Sequence, residues 1–574
     1  MSKKNLILVI VLLICFCGAG YFTYIQFFAS PYNYPLVEQK FTFDEPKEAD
    51  VMAMMKKETK VISSLTTNNS STQSSSEPIP ERKYAQFVPK FTEIDFPFTH
   101  RYSNKSVQVT GGSLIDVDNN GVDEVFVCGG DGQEDGLMFY ENGKFKDKIG
   151  VTGLSNIINC YGSFVADANN DKFSDIFVAR EDGVYQYLNN KNGTFLATKI
   201  NINFEPNTVP VNISGGDIDN DGILDLYIST FSTAAVLKNT QFNNDSHARA
   251  NILLSGQKDG QFKDITNESG AFYDENTFIT SFVDLNNDGL QDIVIAPDTS
   301  RMVIFKNLGN QKFTKLEPIS ENGFWMGLAL GDIDNDGDVD IFSTNVGNTI
   351  PTNFLRGDLG SDEVLDPKWR MLRNDGNFKF TDITTESKLD NYEFAWGALF
   401  EDFNLDGQLD LSVVENYIKW PAHNINKLSG RFFVGTKAGV FQPTTKDSGV
   451  ENFNYGMTPL TSDFNKDGYP DLINLNLDGK AKAFINNGGE NKSMTIEIPT
   501  AAKYIDAKIT ISLDDNKVIH RQFTPSQGLS ASQSNKIIIP LAKDHNITFI
   551  SVKLSNGEMQ VFENPKVGEV VKLK

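Results

Sequence analysis

The chain has 574 residues, 40% hydrophobic and 11% aromatic, which is enough apolar material for a large core and excludes wholesale disorder. Its 75 Asp and Glu against 52 Lys and Arg leave a net charge of −23, which speaks against polyanion binding, because nucleic acid and anionic lipid would be repelled. Five histidines and four cysteines exclude a cysteine-dense scaffold and argue against thiolate zinc sites and histidine-based catalysis.

At the N-terminus, Lys3 and Lys4 precede an uncharged run from Leu6 to Phe28, interrupted only by Thr23 and Gln26. As a helix it spans roughly 34 Å, enough for a hydrocarbon core of about 30 Å. Residues 1–28 are therefore expected to form a single membrane anchor, with the positive flank cytoplasmic and the bulk of the chain periplasmic or at the cell surface. The alternative is a signal peptide cleaved near Cys17-Gly18-Ala19, which also exports the chain. Residues 29–85 follow as a stalk, with the Ser/Thr/Asn tract SSLTTNNSSTQSSSEPIP at 63–80.

From residue 86 to 490 one nine-residue pattern, D-x-[DN]-x-[DN]-G-x-x-[DE], recurs seven times, with starts 51, 50, 67, 48, 70 and 61 residues apart. Side-chain oxygens at its positions 1, 3, 5 and 9, with a backbone carbonyl at 7, can surround one hard cation. Oxygen donors without nitrogen or sulfur select calcium. The candidate ligands are Asp116, Asp118, Asn120 and Glu124; Asp167, Asn169, Asp171 and Asp175; Asp217, Asp219, Asp221 and Asp225; Asp284, Asn286, Asp288 and Asp292. The remaining sets are Asp332, Asp334, Asp336 and Asp340; Asp402, Asn404, Asp406 and Asp410; Asp463, Asn465, Asp467 and Asp471. Glycine at position 6 supplies the left-handed backbone that folds these groups inward. An EF-hand would need Glu at position 12, where this chain has Val127, Val178, Ile228, Ile295, Ser343, Val413 and Asn474. EF-hands are thereby excluded. The turns starting at Asp217 and Asp332 offer four carboxylates and the other five offer three, while Lys172 replaces the glycine of the second and makes it the weakest site.

The flanks read as strands: DIFVAR, DLYIST and DIVIAP follow the turns, and YGSFVA, ITSFV and AWGALFE precede them. Third and fourth strands follow in VYQYLNNKNGTFLA and RFFVGTKAGVFQPT, each with an Asn/Gly turn at its middle. Four antiparallel strands at this period predict propeller blades, seven in number, with the stretch Phe87 to Phe98 adding an outer strand to the last.

These nonapeptides and their strands resemble the FG-GAP (VCBS-type) repeats of integrin α-subunit propellers. The order of parts resembles the cartilage acidic protein-like family, in which a propeller precedes an ASPIC/UnbV module. Residues 491–574 carry that second resemblance in KYIDAKITISLDD (503–515), FTPSQGLSASQS (523–534) and VKLSNGEMQVF (552–562), although the usual Gly-Ala-Arg is here Asp506-Ala507-Lys508. The fold class expected is all-β: a seven-bladed propeller with calcium-binding turns and a small C-terminal β domain.

Other residues carry less. Arg356-Gly357-Asp358 matches the tripeptide that integrins read, His100, His247, His423, His520 and His545 are scattered, and Trp325 and Trp396 are either core or a stacking platform. Sequons at Asn104, Asn192 and Asn546 matter only in a glycosylating host. Cys128 and Cys160 lie on strands of adjacent blades, displaced toward the same rim, and are expected to form a disulfide. Nearly every paired acid lies in a turn and no nucleophile motif appears, so the expected function is a membrane-tethered module that binds a protein or glycan, not an enzyme. The alternative is an enzyme acting on extracellular carbohydrate or another surface substrate. Recognition is placed on the rim opposite the calcium turns, on the inserted segments 231–250 and 345–368.

Overall fold

Each acidic nonapeptide is the turn of an antiparallel hairpin, and all seven share one register. The residue before the turn pairs with the residue that closes it: Ile115 with Glu124, Ala166 with Asp175, Gly216 with Asp225, Val283 with Asp292, Gly331 with Asp340, Glu401 with Asp410, and Ser462 with Asp471. The computed structural model describes residues 88–237, 241–244, 249–347, 350–418, 426–436, 439–543 and 545–573.

Two more strands extend each hairpin outward, so every repeat becomes one antiparallel sheet, here numbered I to VII by its turn. Sheet I holds Gly112–Ile115, Glu124–Val127, Gly136–Glu141 and Lys144–Asp147. Sheet VII takes its outer strand from the beginning of the described chain: Phe91–Ile94 pairs with Lys482–Asn486, with Phe91 opposite Asn486. Neighbouring sheets touch all the way round. Ser113 Oγ lies 2.6 Å from Ser163 Oγ (I to II), and Ser214 Oγ 2.9 Å from Thr280 Oγ1 (III to IV). Trp325 N–H donates to Pro297 O at 3.0 Å (V to IV), and Ser462 Oγ to Asp123 Oδ2 at 2.6 Å (VII to I). Near the axis the first strands come too close for side chains: a Cβ on Gly397 would stand 2.6 Å from Met457 O. The core lies between sheets, as where Tyr227 and Leu253 of sheet III pack on Phe282, Ile293 and Phe305 of sheet IV. The architecture is all-β and propeller-like.

The membrane anchor expected over residues 1–28 is not supported. Among the described residues the α-helices are single turns of four residues, and none is long and apolar enough to cross a membrane. The anchor and the stalk over 29–85 lie outside the described residues.

The chain from Lys492 onward forms two small sheets in the same compact unit as sheets I to VII. One has the order Lys536–Leu541, Lys492–Glu497, Val570–Lys572; the other Val518–Gln522, Lys508–Leu513, Ile547–Lys553, Met559–Glu563. Their apolar faces join those of sheets II and III in one cluster, where Ile496, Ile509 and Phe523 meet Phe164, Ile213 and Leu226. Between them the segment 523–534 runs among the first strands of several sheets. Gly528 and Leu328 exchange backbone hydrogen bonds of 2.9 and 3.1 Å, Ser530 Oγ donates to Val211 O at 2.8 Å, and Leu529 N–H to Thr458 Oγ1 at 3.2 Å. Ala531 pairs in parallel with Gly112. At Gly111 a Cβ would lie 1.9 Å from Ser530 O, so glycine is what admits this segment. Leu529 is fully buried in the central cluster with Phe278, Trp325 and Trp396.

Candidate metal centres in the acidic turns

Every turn places two residues in the left-handed region, positions 4 and 6. At position 6 the values run from φ 80 to 95 for the glycines, and Lys172 adopts φ 73. At position 4, Asn119, Asn170, Asn220, Asn287 and Asn335 take φ between 56 and 61, as do Leu405 and Lys466. Asn tolerates this conformation better than most residues, which explains its recurrence there. With the backbone so folded, the carboxylate at position 1 accepts from the N–H groups of positions 5 and 6; in the third turn Asp217 takes Asp221 N–H and Gly222 N–H, both at 2.9 Å. Position 9 is a strut as well as a candidate ligand. Asp292 accepts Leu285 N–H at 3.1 Å and Asn307 N–H at 2.8 Å, tying the turn to the third strand.

Two contacts between turns escaped the sequence reading. The position-4 side chain donates to the next turn: Asn119 Nδ2 to Lys172 O, Asn170 to Gly222 O, Asn220 to Gly289 O, Asn287 to Asp338 Oδ1 and Asn335 to Gly407 O. Lys466 Nζ reaches Asn120 O at 3.2 Å and links the seventh turn to the first. Leu405 makes no such bond and packs instead with Tyr469 and Ile538. Farther in, buried Asn189, Asn307, Asn374 and Asn486 each donate to position 2 of the preceding turn, at Val117 O, Ile218 O, Leu285 O and Phe403 O. The sequence signal for both was present, as Asn before the third–fourth strand turn and at position 4, but it reads as ordinary turn chemistry.

The donor set fits a hard cation best in two turns. Carboxylate oxygens of Asp217, Asp219 and Asp225 lie within 4.8 Å of one another, as do those of Asp332, Asp334 and Asp336. Asp334 Oδ1 is buried with no hydrogen-bond partner. Burial, reinforced by the neighbouring carboxylates, pushes Asp217 up to about 6 and Asp332 up to about 7. Such crowding of oxygens alone is what a calcium ion relieves. The second turn keeps the common backbone in spite of Lys172, and Lys191 Nζ stands 3.3 Å from Asp171 Oδ2.

The segment after Lys492 lies over this acidic face. Lys536 Nζ is 2.6 Å from Asp123 Oδ1 and 3.5 Å from Asp116 Oδ2, Lys508 Nζ 3.0 Å from Asp284 Oδ2, and Arg521 NH2 3.4 Å from Asp402 Oδ2. Asp167 N–H donates to Thr500 O, His520 N–H to Asn335 Oδ1 and Ser493 Oγ to Gly468 O. Asp506, standing where the resemblance has glycine, adopts φ 72 and accepts Asp284 N–H at 3.1 Å.

The opposite rim holds the insertions. Both join a second strand to a third at the end away from the turns, after Asp225–Ser232 and after Asp340–Ser343. They meet each other: Asp358 Oδ1 accepts Phe242 N–H at 2.6 Å, Asn243 Nδ2 donates to Glu363 Oε2 at 2.8 Å, and Phe242 packs on Phe324 with ring centroids 5.4 Å apart. Asp358 of the Arg-Gly-Asp tripeptide is thus engaged within the chain, and Arg356 donates to Glu363 O. Cys128 and Cys160 form a disulfide on this side, with Cα atoms 5.0 Å apart. Trp325 and Trp396 are fully buried, which removes them as a stacking platform. His100 is buried and its pKa falls to about 3 for that reason. His545 stands beside Asp514 and Asp515 at an exposed turn. One acid pair outside the turns went unread: Glu393 and Glu415 share Arg431, at 2.6 and 3.5 Å.

The comparisons bear directly on the turns and on the segment that covers them. The FG-GAP-like repeat family matches residues 167–228 and 284–343, and the ASPIC and UnbV family matches 499–574. The chain carries FG-GAP-like repeats and an ASPIC/UnbV segment. The two repeat matches take in the second to fifth acidic turns, each running from a turn (of sheets II and IV) to the second strand of the next sheet (III and V). Cartilage acidic protein 1 of Xenopus tropicalis is 27% identical over 180 residues, a match over 29% of this chain that fits the same family; the chain spans a quarter (25%) of that relative's length. Among solved structures, a fungal alcohol oxidase of the AA5 family shares 13% identity at a TM-score of 0.45, covering 85% of this chain and all (100%) of that one. A lectin of Agrocybe aegerita that recognises non-reducing terminal N-acetylglucosamine shares 14% at 0.34, covering 63% of this chain and 82% of that one. Likeness of that order adds nothing to the FG-GAP sheets and the ASPIC/UnbV cover described above.

Proposed function

We propose that the chain is an extracellular interaction module: a seven-bladed propeller, stiffened by calcium in its acidic turns, that binds a protein or glycan partner on the rim opposite those turns. The observation that carries this reading is the placement of the ASPIC/UnbV segment. With the strand that leads into it from Lys492, it touches six of the seven turns and packs among the first strands of the sheets, so the rim with the two insertions is the face left open. That rim has the form recognition surfaces take, with loops held on a rigid scaffold. The clasp of Phe242 and Asn243 on Asp358 and Glu363 joins the insertions into one surface, and Phe354 is 40% exposed on it. Oxygen-only donors in the turns and a disulfide between adjacent sheets support calcium and an oxidising setting outside the cell.

The test is affinity capture on a glycan array and from extracellular extract, with the chain and a variant in which 241–244 and 353–364 are replaced by Gly/Ser linkers. Capture is expected to be lost in the variant while calcium-dependent melting is kept. Capture that survives the replacement, or turnover of a substrate by the purified chain, would overturn the reading.

A further inference from the structure

The seven turns are not equally short of positive charge. Three of them hold a cation from the C-terminal segment against their carboxylates: Lys536 in the first, Lys508 in the fourth and Arg521 in the sixth. These side chains are largely withdrawn from water, at 11%, 22% and 7% exposure, so their charges are weakly screened. Each also makes further bonds that fix its place. Lys508 Nζ donates to Asp284 O at 3.2 Å and to Asn287 Oδ1, and Arg521 donates to Gly407 O at 3.3 Å and to His520 O at 2.8 Å. Asp123, which is not a candidate ligand, anchors Lys536 together with Ser462 and Ser534. Among the described residues the two turns with four carboxylates, starting at Asp217 and Asp332, have no Lys or Arg within ion-pair distance of a candidate ligand: Arg373 acts on Asp334 and Lys258 on Asp221 only from farther off, Arg373 being ion-paired with Asp375. The seventh has none either.

We propose that Lys536, Lys508 and Arg521 are built-in counter-ions that stand in for a metal at the turns starting at Asp116, Asp284 and Asp402, leaving the turns at Asp217, Asp332 and Asp463 as the calcium sites. The physical ground is mutual exclusion. A divalent ion ligated by the position-1 carboxylate would sit within a few ångströms of a buried ammonium or guanidinium, where like charges repel strongly. Neither four-acid turn has an ion-paired cation, whereas four of the five three-acid turns have one, Lys191 serving the second, and the seventh is the exception. The C-terminal segment thus neutralises part of the acidic face itself, and calcium completes the rest. The inference rests on the calcium reading above and narrows it to named turns.

The test is calcium titration of the full chain by calorimetry, with bound metal counted after dialysis. About three ions per chain are expected rather than seven. Asp332→Asn should lower the count by one, whereas Asp284→Asn should leave it unchanged. Lys508→Met, at the most accessible of the three cations, should raise the count by one and make melting depend more steeply on calcium. Should that variant fail to fold without metal, recovery of the folded state in millimolar calcium, with one extra ion, supports the same conclusion. Seven ions on the unaltered chain, or no gain in Lys508→Met, overturns the counter-ion role and leaves the calcium reading standing. No calcium bound to the unaltered chain overturns both.

Discussion

Lys172 shows how firmly the repeat imposes its backbone. A lysine occupies the position glycine fills in the other six turns and still adopts φ 73, with its N–H on Asp167 Oδ2 at 2.8 Å. The left-handed region costs an L-residue roughly 1–2 kcal/mol, part of which glycine forfeits through the larger entropy of its unfolded chain. Lys172→Gly should therefore stabilise the chain by about 0.5–1 kcal/mol, read as a higher urea midpoint at unchanged slope. Asp298, at the far end of sheet IV, gives a pH effect of defined sign. Burial raises its pKa to about 7, and it accepts from the backbone N–H of Thr299 near Glu275. Because the folded state then binds the proton more tightly than the unfolded one, the contribution of Asp298 is fully present below its ordinary value of 3.8 and is lost as pH rises through 7. Asp298→Asn should flatten the decline in stability between about pH 4 and pH 7, each pKa unit being worth roughly 1.4 kcal/mol. Parallel pH profiles for the two proteins would contradict this.

At the scale of elements, the hairpin turn is tied to its neighbours in two layers. The outer layer is the position-4 side chain reaching the next turn; the inner is the buried Asn that spans adjacent sheets. Asn307 is the clearest case. Its Nδ2 donates to Ile218 O in sheet III and Gln291 O in sheet IV, both at 2.9 Å, while its N–H holds Asp292. Asn307→Ala strands two buried carbonyls and should cost about 2–4 kcal/mol by chemical denaturation. Asn192→Ala, an exposed Asn in another outer turn, is the control and should change stability by less than about 0.5 kcal/mol. Equal effects would mean that the inner Asn is not a staple.

For the whole molecule the dominant feature is an acidic face with a cover. The turns concentrate 23 carboxylates on one side of a chain of net charge −23, and they are held together by turn-to-turn hydrogen bonds and by cations of the C-terminal segment, to which the proposed calcium would add. Calcium removal should lower the melting temperature of the full chain. At a hundredfold excess over its dissociation constant each site contributes about 2.7 kcal/mol, and extracellular calcium modules commonly need millimolar concentrations. Identical melting curves in millimolar calcium and in chelator would refute a stabilising role for the metal.

The sequence by itself determined the repeat, the turn within each hairpin and the oxygen donors, because all three are local. A nine-residue pattern with Asp, Asn and Gly at fixed places takes the same turn in all seven repeats, and its apolar flanks pair across it. The strand that sheet VII takes from Phe91–Ile94 was legible from the count of strands per repeat. Tertiary structure alone decided what covers the acidic face. Lys536 meets Asp123 across 413 residues and Lys508 meets Asp284 across 224, and nothing in either local sequence marks a lysine as a counter-ion rather than a solvated charge. The same holds for the segment 523–534, a Gly/Ser-rich turn by composition that packs among the first strands of the sheets because Gly111 leaves room for it. It holds too for Asp358, whose tripeptide is a short match of little weight in the sequence and whose oxygens bind the backbone of the other insertion. Local chemistry set what each residue is able to bind; which of those bonds is made depended on partners brought together only by the packing of the sheets.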